Sequence, residues 1–456
     1  MYLHSRRRTS GARSIGILAI VLVMATAACS SDEESTTTTA GGAEGSSTTA
    51  AAGTTEPTET TEPSELSGSI NVLVVSSPSA TGLQAVAESF TADTGVEVNF
   101  VEVPYTDVTS TVLLAARAGS SEFDVIQYDS GFLVELVAGG ALLGLDELIA
   151  ASPEYDIADF PQKVQDYTKY NGVSYGLNLS TEPYVLWYRT DLFAELGLNP
   201  PATIEEYISN AEALDAAGYF GSDSGYGPDI GGYYWLQHLK QAGVEFLDTA
   251  TCEFHATDPE FVAATEQYLS LIPYTPPSAV NGGGNEMTAA FIQDEVGQEV
   301  NATGYYSIMA DPEQSNLSDN FAAALAPGEG TSLFGWLIGL SADTQNQDAA
   351  WAFLMHALDK EGVWAMVDAG APPPGRISFG EDAEFMASAP YWPILIDAAA
   401  IGEGPPGVPE FPEIQTIMSQ TISAMAAAGD PDVAAMLADM QDKLEGALEG
   451  SVACSN

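Results

Sequence analysis

From residue 70 onward the chain alternates short apolar runs with stretches of helical period. "INVLVV" (70–75) is continuously apolar, and Leu83, Val86, Ala87 and Phe90 then recur at helical spacing. "VEVNFVEV" (96–103) alternates apolar and polar positions as a strand does, a helical stretch runs from Val108 to Ala118, and "FDVIQYD" (123–129) is a third strand candidate. Unbroken apolar runs suit strands covered on both faces, so a parallel sheet with crossover helices is predicted for the start of the body. Further helices are predicted at 204–217, 259–272, 346–358 and 431–449. In the last, Asp430 is the expected cap, Pro431 the first helical residue, and Val433, Met436, Leu437, Met440, Leu444 and Leu448 form one apolar stripe read as core packing. One stretch breaks the pattern: in "YGLNLSTEPYVLWYRTDLF" (175–193) a single carboxylate, Glu182, stands between two apolar runs. No repeat of fixed period is present.

The amino-terminal stretch differs from the body. A basic segment (Arg6, Arg7, Arg8, Arg13) precedes an apolar run from Ile15 to about Met24, and small residues lead to Cys29. This reads as a secretory signal, its apolar run being too short for the roughly 20 residues that span a bilayer. Ala27, Ala28 and Cys29 resemble the lipobox of bacterial lipoproteins, with Thr26 where Leu is usual. That implies an acylated Cys29 and cleavage before it; an ordinary cleaved signal with an incidental cysteine is the alternative. Residues 30–66 are almost entirely Ser, Thr, Gly, Ala, Pro and Glu. Such a composition cannot bury enough apolar surface to order itself, and predicts a tether of about 35 Å root-mean-square reach.

At 456 residues and 45% apolar composition, two or more packed units are expected. The formal charge is -52, from 64 acidic against 12 basic residues. Phosphate binding runs on Lys and Arg, so nucleic-acid binding is excluded; the acidity reads as a solvated shell, with an acidic site for a cationic partner as the alternative. Cys252 and Cys454 are a possible disulfide in an exported chain. Signals for catalysis are missing. There is no G-x-x-x-x-G-K loop, "GSDSG" (221–225) has Asp223 where a hydrolase needs its nucleophile, and His4, His238, His255 and His356 are too scattered for a metal motif. "NGGGN" (281–285) reads as a flexible loop. No cofactor and no metal are expected. What recurs is aromatic residues beside small polar ones, among them Tyr105, Asp129, Tyr233, Tyr305 and Trp336. A sugar suits that pairing, because its C–H faces pack on aromatic planes while its hydroxyls bond Asp, Glu, Asn and Arg.

Five segments then carry a resemblance: "FDVIQYDSGFLVELVAGGALLGLDELI" (123–149), "NGVSYGLNLSTEPYVLWYRTDLFAELGLNPPATIEEY" (171–207), "AAFIQDEVGQEVNATGYYSIMADPEQS" (289–315), "GWLIGLSADTQNQDAAWAFLMHAL" (335–358) and "APPPGR" (371–376). In order and spacing the chain from about Ser67 resembles the extracellular solute-binding proteins of ABC sugar importers, in the maltodextrin-binding group. The resemblance implies an α/β, two-lobe periplasmic-binding-protein-like fold (type II), each lobe a mostly parallel sheet flanked by helices, joined by crossover strands. The boundaries it implies are a signal at 1–28, a tether at 29–66, first-lobe parts at 67–181 and 328–371, and second-lobe parts at 182–327 and 372–456. It places Glu182 at the cleft floor where the chain crosses lobes, and it implies ligand contacts from Asp129, Ser130, Asn301, Trp336 and Arg376, joined by the aromatics Tyr105, Tyr233 and Tyr305. The Arg that the group carries next to its aspartate is absent beside Asp129, which implies a different ligand or pose. The expected function is capture of a sugar, a di- or oligosaccharide, without bond chemistry, by a monomer lipid-anchored to the outer face of the cytoplasmic membrane that delivers its ligand to ABC permease transmembrane subunits. A polyamine-binding protein, a surface glycosidase and a sensor for a signalling partner are the alternatives.

Overall fold

The structure, a computed structural model, describes residues 66–317 and 319–451. The signal segment, almost all of the tether, Cys29 and Cys454 lie outside the described residues. The strands in chain order are β1 (Ser69–Val75), β2 (Glu97–Val103), β3 (Val125–Asp129), β4 (Lys169–Tyr170), β5 (Val173–Ser174), β6 (Leu177–Asn178), β7 (Glu182–Arg189), β8 (Leu247–Asp248), β9 (Glu253–Phe254), β10 (Gln298–Ala302), β11 (Phe321–Leu325), β12 (Leu333–Phe334) and β13 (Trp336–Leu340).

Two sheets organise them. The first has the order β2-β1-β3-β13-β6; β1 is parallel to β2 and β3, and β13 runs against both β3 and β6. The run 70–75 is the interior strand β1, with Ile70 and Val72 to Val75 sealed from solvent. Over it lies the helix Pro78–Thr94, whose Leu83, Val86, Ala87 and Phe90 are buried as their spacing predicts. Phe90 meets Phe353 edge-on at 5.3 Å on the helix Gln347–Leu358. β2 is the outer strand, which is why its apolar and polar residues alternate.

The second sheet departs from the expectation of a mostly parallel sheet in each lobe. β7 lies between β10 and β11 and is antiparallel to both, and β12 also pairs antiparallel with it. The reason lies in the path of the chain: β7 enters directly from the first lobe and runs against the strands that later close around it. β7 is buried on both faces, so its alternation divides between two cores. Val185 and Trp187 face the core that holds Tyr391, 5.7 Å from the Trp187 ring, while Tyr184 and Leu186 face that of the helices Gly231–Gln241 and Phe411–Ala428. Glu182 shares the parity of Tyr184 and Leu186 at the open end of this strand.

Three segments pass between the lobes and are tied together. Leu179 to Thr181 link β6 to β7, Gly335 links β12 to β13, and residues 372–376 follow the helix Lys360–Asp368. Leu179 and Ser180 donate N–H bonds to the Trp336 carbonyl, and Ser180 Oγ accepts the Trp336 N–H at 3.1 Å. Thr181 N–H reaches the Pro373 carbonyl, while Gly375 N–H donates to Asn178 Oδ1 and Thr181 Oγ1. At Gly335 any side chain would collide with the Ser180 carbonyl, so close approach requires glycine there.

Arg376 corrects an expectation: it does not line the cleft. Its guanidinium bonds the carbonyls of Tyr155 at 2.9 Å and Leu358 at 3.3 Å, reaches Asp159 at 3.5 Å, and lies over the Phe160 and Tyr155 rings. It pins the third crossing to the first lobe, its guanidinium held away from the cleft by three hydrogen bonds and two ring faces.

Local expectations shift for local reasons. The last helix is Val433–Ala447 and is capped by Asp432, whose carboxylate takes the Ala435 N–H, so Asp430 and Pro431 lie before it. The predicted helix 259–272 ends at Leu269, and Pro273 sits in the short turn Ile272–Tyr274 that follows. "NGGGN" is not a flexible loop. Gly282 to Gly284 are buried and open the helix Gly284–Ile292, where Gly284 is packed so closely under the Tyr234 and Tyr305 hydroxyls that a side chain would strike both.

In the second lobe Asp223 and Glu299 are 2% and 0% exposed, and neither forms an ion pair with a described residue. Burial raises both carboxyls, Glu299 to about 8, and their mutual repulsion raises Asp223 further. Both are therefore protonated in the folded protein at pH values where the unfolded chain ionises them, at about 4. Their contribution to stability is full below the unfolded value and is lost as pH rises towards about 8. Thermal melts should give a lower Tm at about pH 8 than at about pH 5, with a shallower fall in Glu299→Gln; an identical slope in the variant would contradict this assignment.

Candidate functional site

Between the sheets lies a cleft of about 310 Å³. The first lobe lines it with residues at or just beyond the C-terminal ends of its parallel strands: Ser76 to Ser79 after β1, Tyr105 after β2, and Asp129 at the end of β3. Open α/β sheets bind ligands at that edge, because the strands end there and the loops diverge. From the second lobe come Glu182 and Tyr184 of β7, Tyr233 and Tyr234 of the helix Gly231–Gln241, Asn285 and Tyr305. Phe334, Gly335 and Trp336 of the second crossing lie between.

The two carboxylates are held by the chain itself. Asp129 accepts the Gly131 N–H at 2.7 Å, capping the turn Ser130–Phe132. Glu182 accepts the Ser180 hydroxyl at 2.6 Å, so one serine both receives the Trp336 N–H and aims the carboxylate. In strand register Asp129 is opposite Trp336 and Glu182 opposite Phe334, which places the two acids on either side of the crossing. Burial raises Asp129 to about 6; Glu182 goes to about 7, mainly through burial and then through the charge of Asp129, against the opposing Ser180 bond.

Aromatic rings make the walls. Tyr105 meets Phe132 at 5.0 Å and the Trp336 edge at 6.1 Å, Tyr233 meets Phe334 at 5.1 Å, and Tyr184 meets Tyr234 at 5.6 Å. The Tyr105 and Tyr233 hydroxyls, one from each lobe, lie 3.3 Å apart and bridge the cleft. Burial raises the phenols of Tyr105, Tyr184, Tyr233, Tyr234 and Tyr305, so they are neutral hydrogen-bonding groups. Among the described residues no Lys, Arg or His lines the cleft.

Of the residues expected from sequence, Tyr105, Asp129, Glu182, Tyr233, Tyr305 and Trp336 come together here. Ser130 lies behind Asp129, buried, with its N–H on the Gly335 carbonyl. Asn301 is wholly buried and accepts the Tyr234 hydroxyl at 3.2 Å while donating towards Thr288 and Glu299, so it positions a wall residue and does not face the cleft. Cys252 has φ 59° beyond β8 and takes part in a disulfide; Cys454 lies outside the described residues. Sequence reasoning missed Ser76 to Ser79, Tyr184, Asn285 and Phe334. Two signals were available: the residues after a first buried strand, and the period-2 step from Glu182 to Tyr184.

The arrangement offers two acceptors of fixed aim, several neutral hydroxyls and flat apolar surfaces, which together recognise a small polar molecule with apolar faces. Among the described residues no group of three His, Cys, Asp or Glu is placed to hold a metal ion.

Residues 76–364 match the family model described as bacterial extracellular solute-binding protein. A probable amino-acid ABC transporter periplasmic-binding protein of Sinorhizobium fredii is 24% identical over 372 residues, 80% of this chain and 85% of that one. The mannitol-binding protein of Pseudomonas aeruginosa is 26% identical over 310 residues, 62% and 67% respectively. Among solved structures, an ABC transporter solute-binding protein of Agrobacterium radiobacter in complex with ribitol superposes with a TM-score of 0.77 at 23% identity, covering 83% of this chain and 98% of the other. The two-lobe fold, the cleft at its crossing strands and the extent of the match agree: this chain belongs to the bacterial extracellular solute-binding protein family.

Proposed function

We propose that this protein captures a sugar or polyol in the interlobe cleft and delivers it to an ABC permease without altering it. The observation that carries the reading is the convergence of Asp129 and Glu182, each aimed by a chain hydrogen bond, within walls of Tyr105, Tyr184, Tyr233, Tyr305 and Trp336. Carboxylates accept bonds from vicinal hydroxyls, and aromatic planes take the C–H faces. The family match supports capture as the role, and the mannitol- and ribitol-binding relatives support the ligand class. A cleft of about 310 Å³ lies at the small end for ligand pockets, which favours one sugar unit or a linear polyol over the oligosaccharide expected from sequence. Closure follows from contacts with both lobes: a guest touching Asp129 and Trp336 on one side and Glu182 and Tyr233 on the other binds the closed arrangement better and shifts the population towards it.

Cys29 is proposed as the site of lipid anchoring to the outer face of the cytoplasmic membrane. Metabolic labelling with a fatty acid should mark the full chain and leave Cys29→Ala unmarked; equal labelling of both would remove Cys29 from that role.

Calorimetric titration against a panel of sugars and polyols, plain and aminated, tests the cleft. For the member that binds, Trp336→Ala and Glu182→Gln should each raise Kd by about tenfold or more, since each removes a contact made only inside the cleft, whereas Lys443→Ala on the exposed last helix should not. Unchanged Kd in both cleft variants, or a panel member degraded during incubation, would contradict capture at this site.

A further inference from the structure

We infer that the guest carries a protonated amine beside its hydroxyls: the cleft selects an aminated sugar or polyol over its neutral twin. This rests on the reading of the cleft given above and specifies the ligand within it.

The ground is the charge pattern around the cavity. Two carboxylates point into it and no cationic side chain does. Neither Asp129 nor Glu182 takes part in an ion pair with a described residue. The segment after β1 brings Ser76, Ser77 and Ser79; the helix Gly231–Gln241 brings Tyr233 and Tyr234; the start of the helix Gly284–Ile292 brings Asn285; the segment after β10 brings Gly304 and Tyr305; and the crossings bring Phe334, Trp336 and Pro372. The nearby cations are engaged elsewhere: Arg376 with Asp159 and two carbonyls, Lys240 with the carbonyls of Glu403 and Gly404. Fixed positive ends come from the starts of the helices Pro78–Thr94, Gly231–Gln241 and Gly284–Ile292, each a partial charge of roughly half a unit and none a full cation.

A neutral guest that completes closure strips water from both carboxylates and leaves them uncompensated, which is costly for an ionised group unless a charge is paired with it. An ammonium group supplies that charge. Local donors reach each acid, the Gly131 N–H and the Tyr105 hydroxyl for Asp129 and the Ser180 hydroxyl for Glu182, but none is a cation, and the aromatic walls give a cation electron-rich faces as well. The hydroxyl requirement has its own evidence. Ser79 lines the cleft and is 1% exposed, and its Oγ has no hydrogen-bond partner among the described residues, a lack that a hydrogen-bonding group on the guest would meet. Burial, which raises both Asp129 and Glu182, and the charge of Asp129, which raises Glu182 further, express the same missing counter-charge.

The test is calorimetric titration of the unmodified mature chain with matched pairs: glucose against glucosamine, and sorbitol against its 1-amino-1-deoxy analogue, with putrescine as a cation lacking hydroxyls. At about pH 7.5 the aminated member of at least one pair should bind at least about tenfold tighter than its twin. Its advantage should shrink towards pH 5 as the two carboxylates take up protons, and Asp129→Asn with Glu182→Gln should abolish it. A neutral twin that binds as tightly as the aminated one overturns this inference and leaves sugar capture standing. Tighter binding of putrescine than of either aminated compound overturns it by removing the hydroxyl requirement. No binding by any of the five overturns both this inference and the reading on which it rests.

Discussion

Ser180 is the point through which fold and site are coupled. Its hydroxyl donates to Glu182 and accepts the Trp336 N–H, its own N–H reaches the Trp336 carbonyl, and its carbonyl accepts from Tyr167 at 3.1 Å and from Asn178 at 2.9 Å. These bonds join two of the three segments that pass between the lobes, and Thr181 and Asn178 beside it hold the third. A hinge so constructed can bend while keeping its strands in register, and the residues that hold that register also aim the cleft carboxylate. Because these polar groups are buried, leaving any one of them unpaired costs about 1–3 kcal/mol, which keeps the network intact as a unit.

The placement of charge follows a single logic. With so few Lys and Arg in the chain, its buried acids have almost no basic partners, and protonation, a local donor or a ligand must serve instead. Asp223 and Glu299 in the second lobe are buried away from the cleft, and burial raises both, Glu299 to about 8. Asp129 and Glu182 line the cleft and have neutral local donors, Gly131 and Tyr105 for the first and Ser180 for the second. The same scarcity of cations therefore produces a silent acid pair in one place and a receptive one in another, and access alone distinguishes them.

Much of this was legible in the sequence because it depends on short-range pattern. β1, the helix Pro78–Thr94, β2 and β3 follow the predicted strand–helix–strand order, and the helix Ile204–Ala217 has the predicted bounds. Glu182 stood out because a lone acid interrupted apolar runs, and the interruption marks the point where β7 leaves its two cores and opens on the cleft. What could not be read depends on packing at a distance. Arg376 is drawn away by Asp159 and by carbonyls far along the chain. Asn301 is turned inward by Tyr234 and Glu299. The glycines of "NGGGN" look flexible until the Tyr234 and Tyr305 hydroxyls are placed over Gly284. In each case at least one deciding partner is remote in sequence, as Tyr234 is from Asn301, so no local pattern encodes it.

The central claim is mechanical: a small guest is held by both lobes at once and draws them together about the tied crossings. Small-angle X-ray scattering of the protein, with and without a saturating ligand from the titration panel, reads this directly. A smaller radius of gyration in the bound state, with secondary structure unchanged, is the expected result. A scattering profile that stays the same while calorimetry reports full occupancy would contradict it.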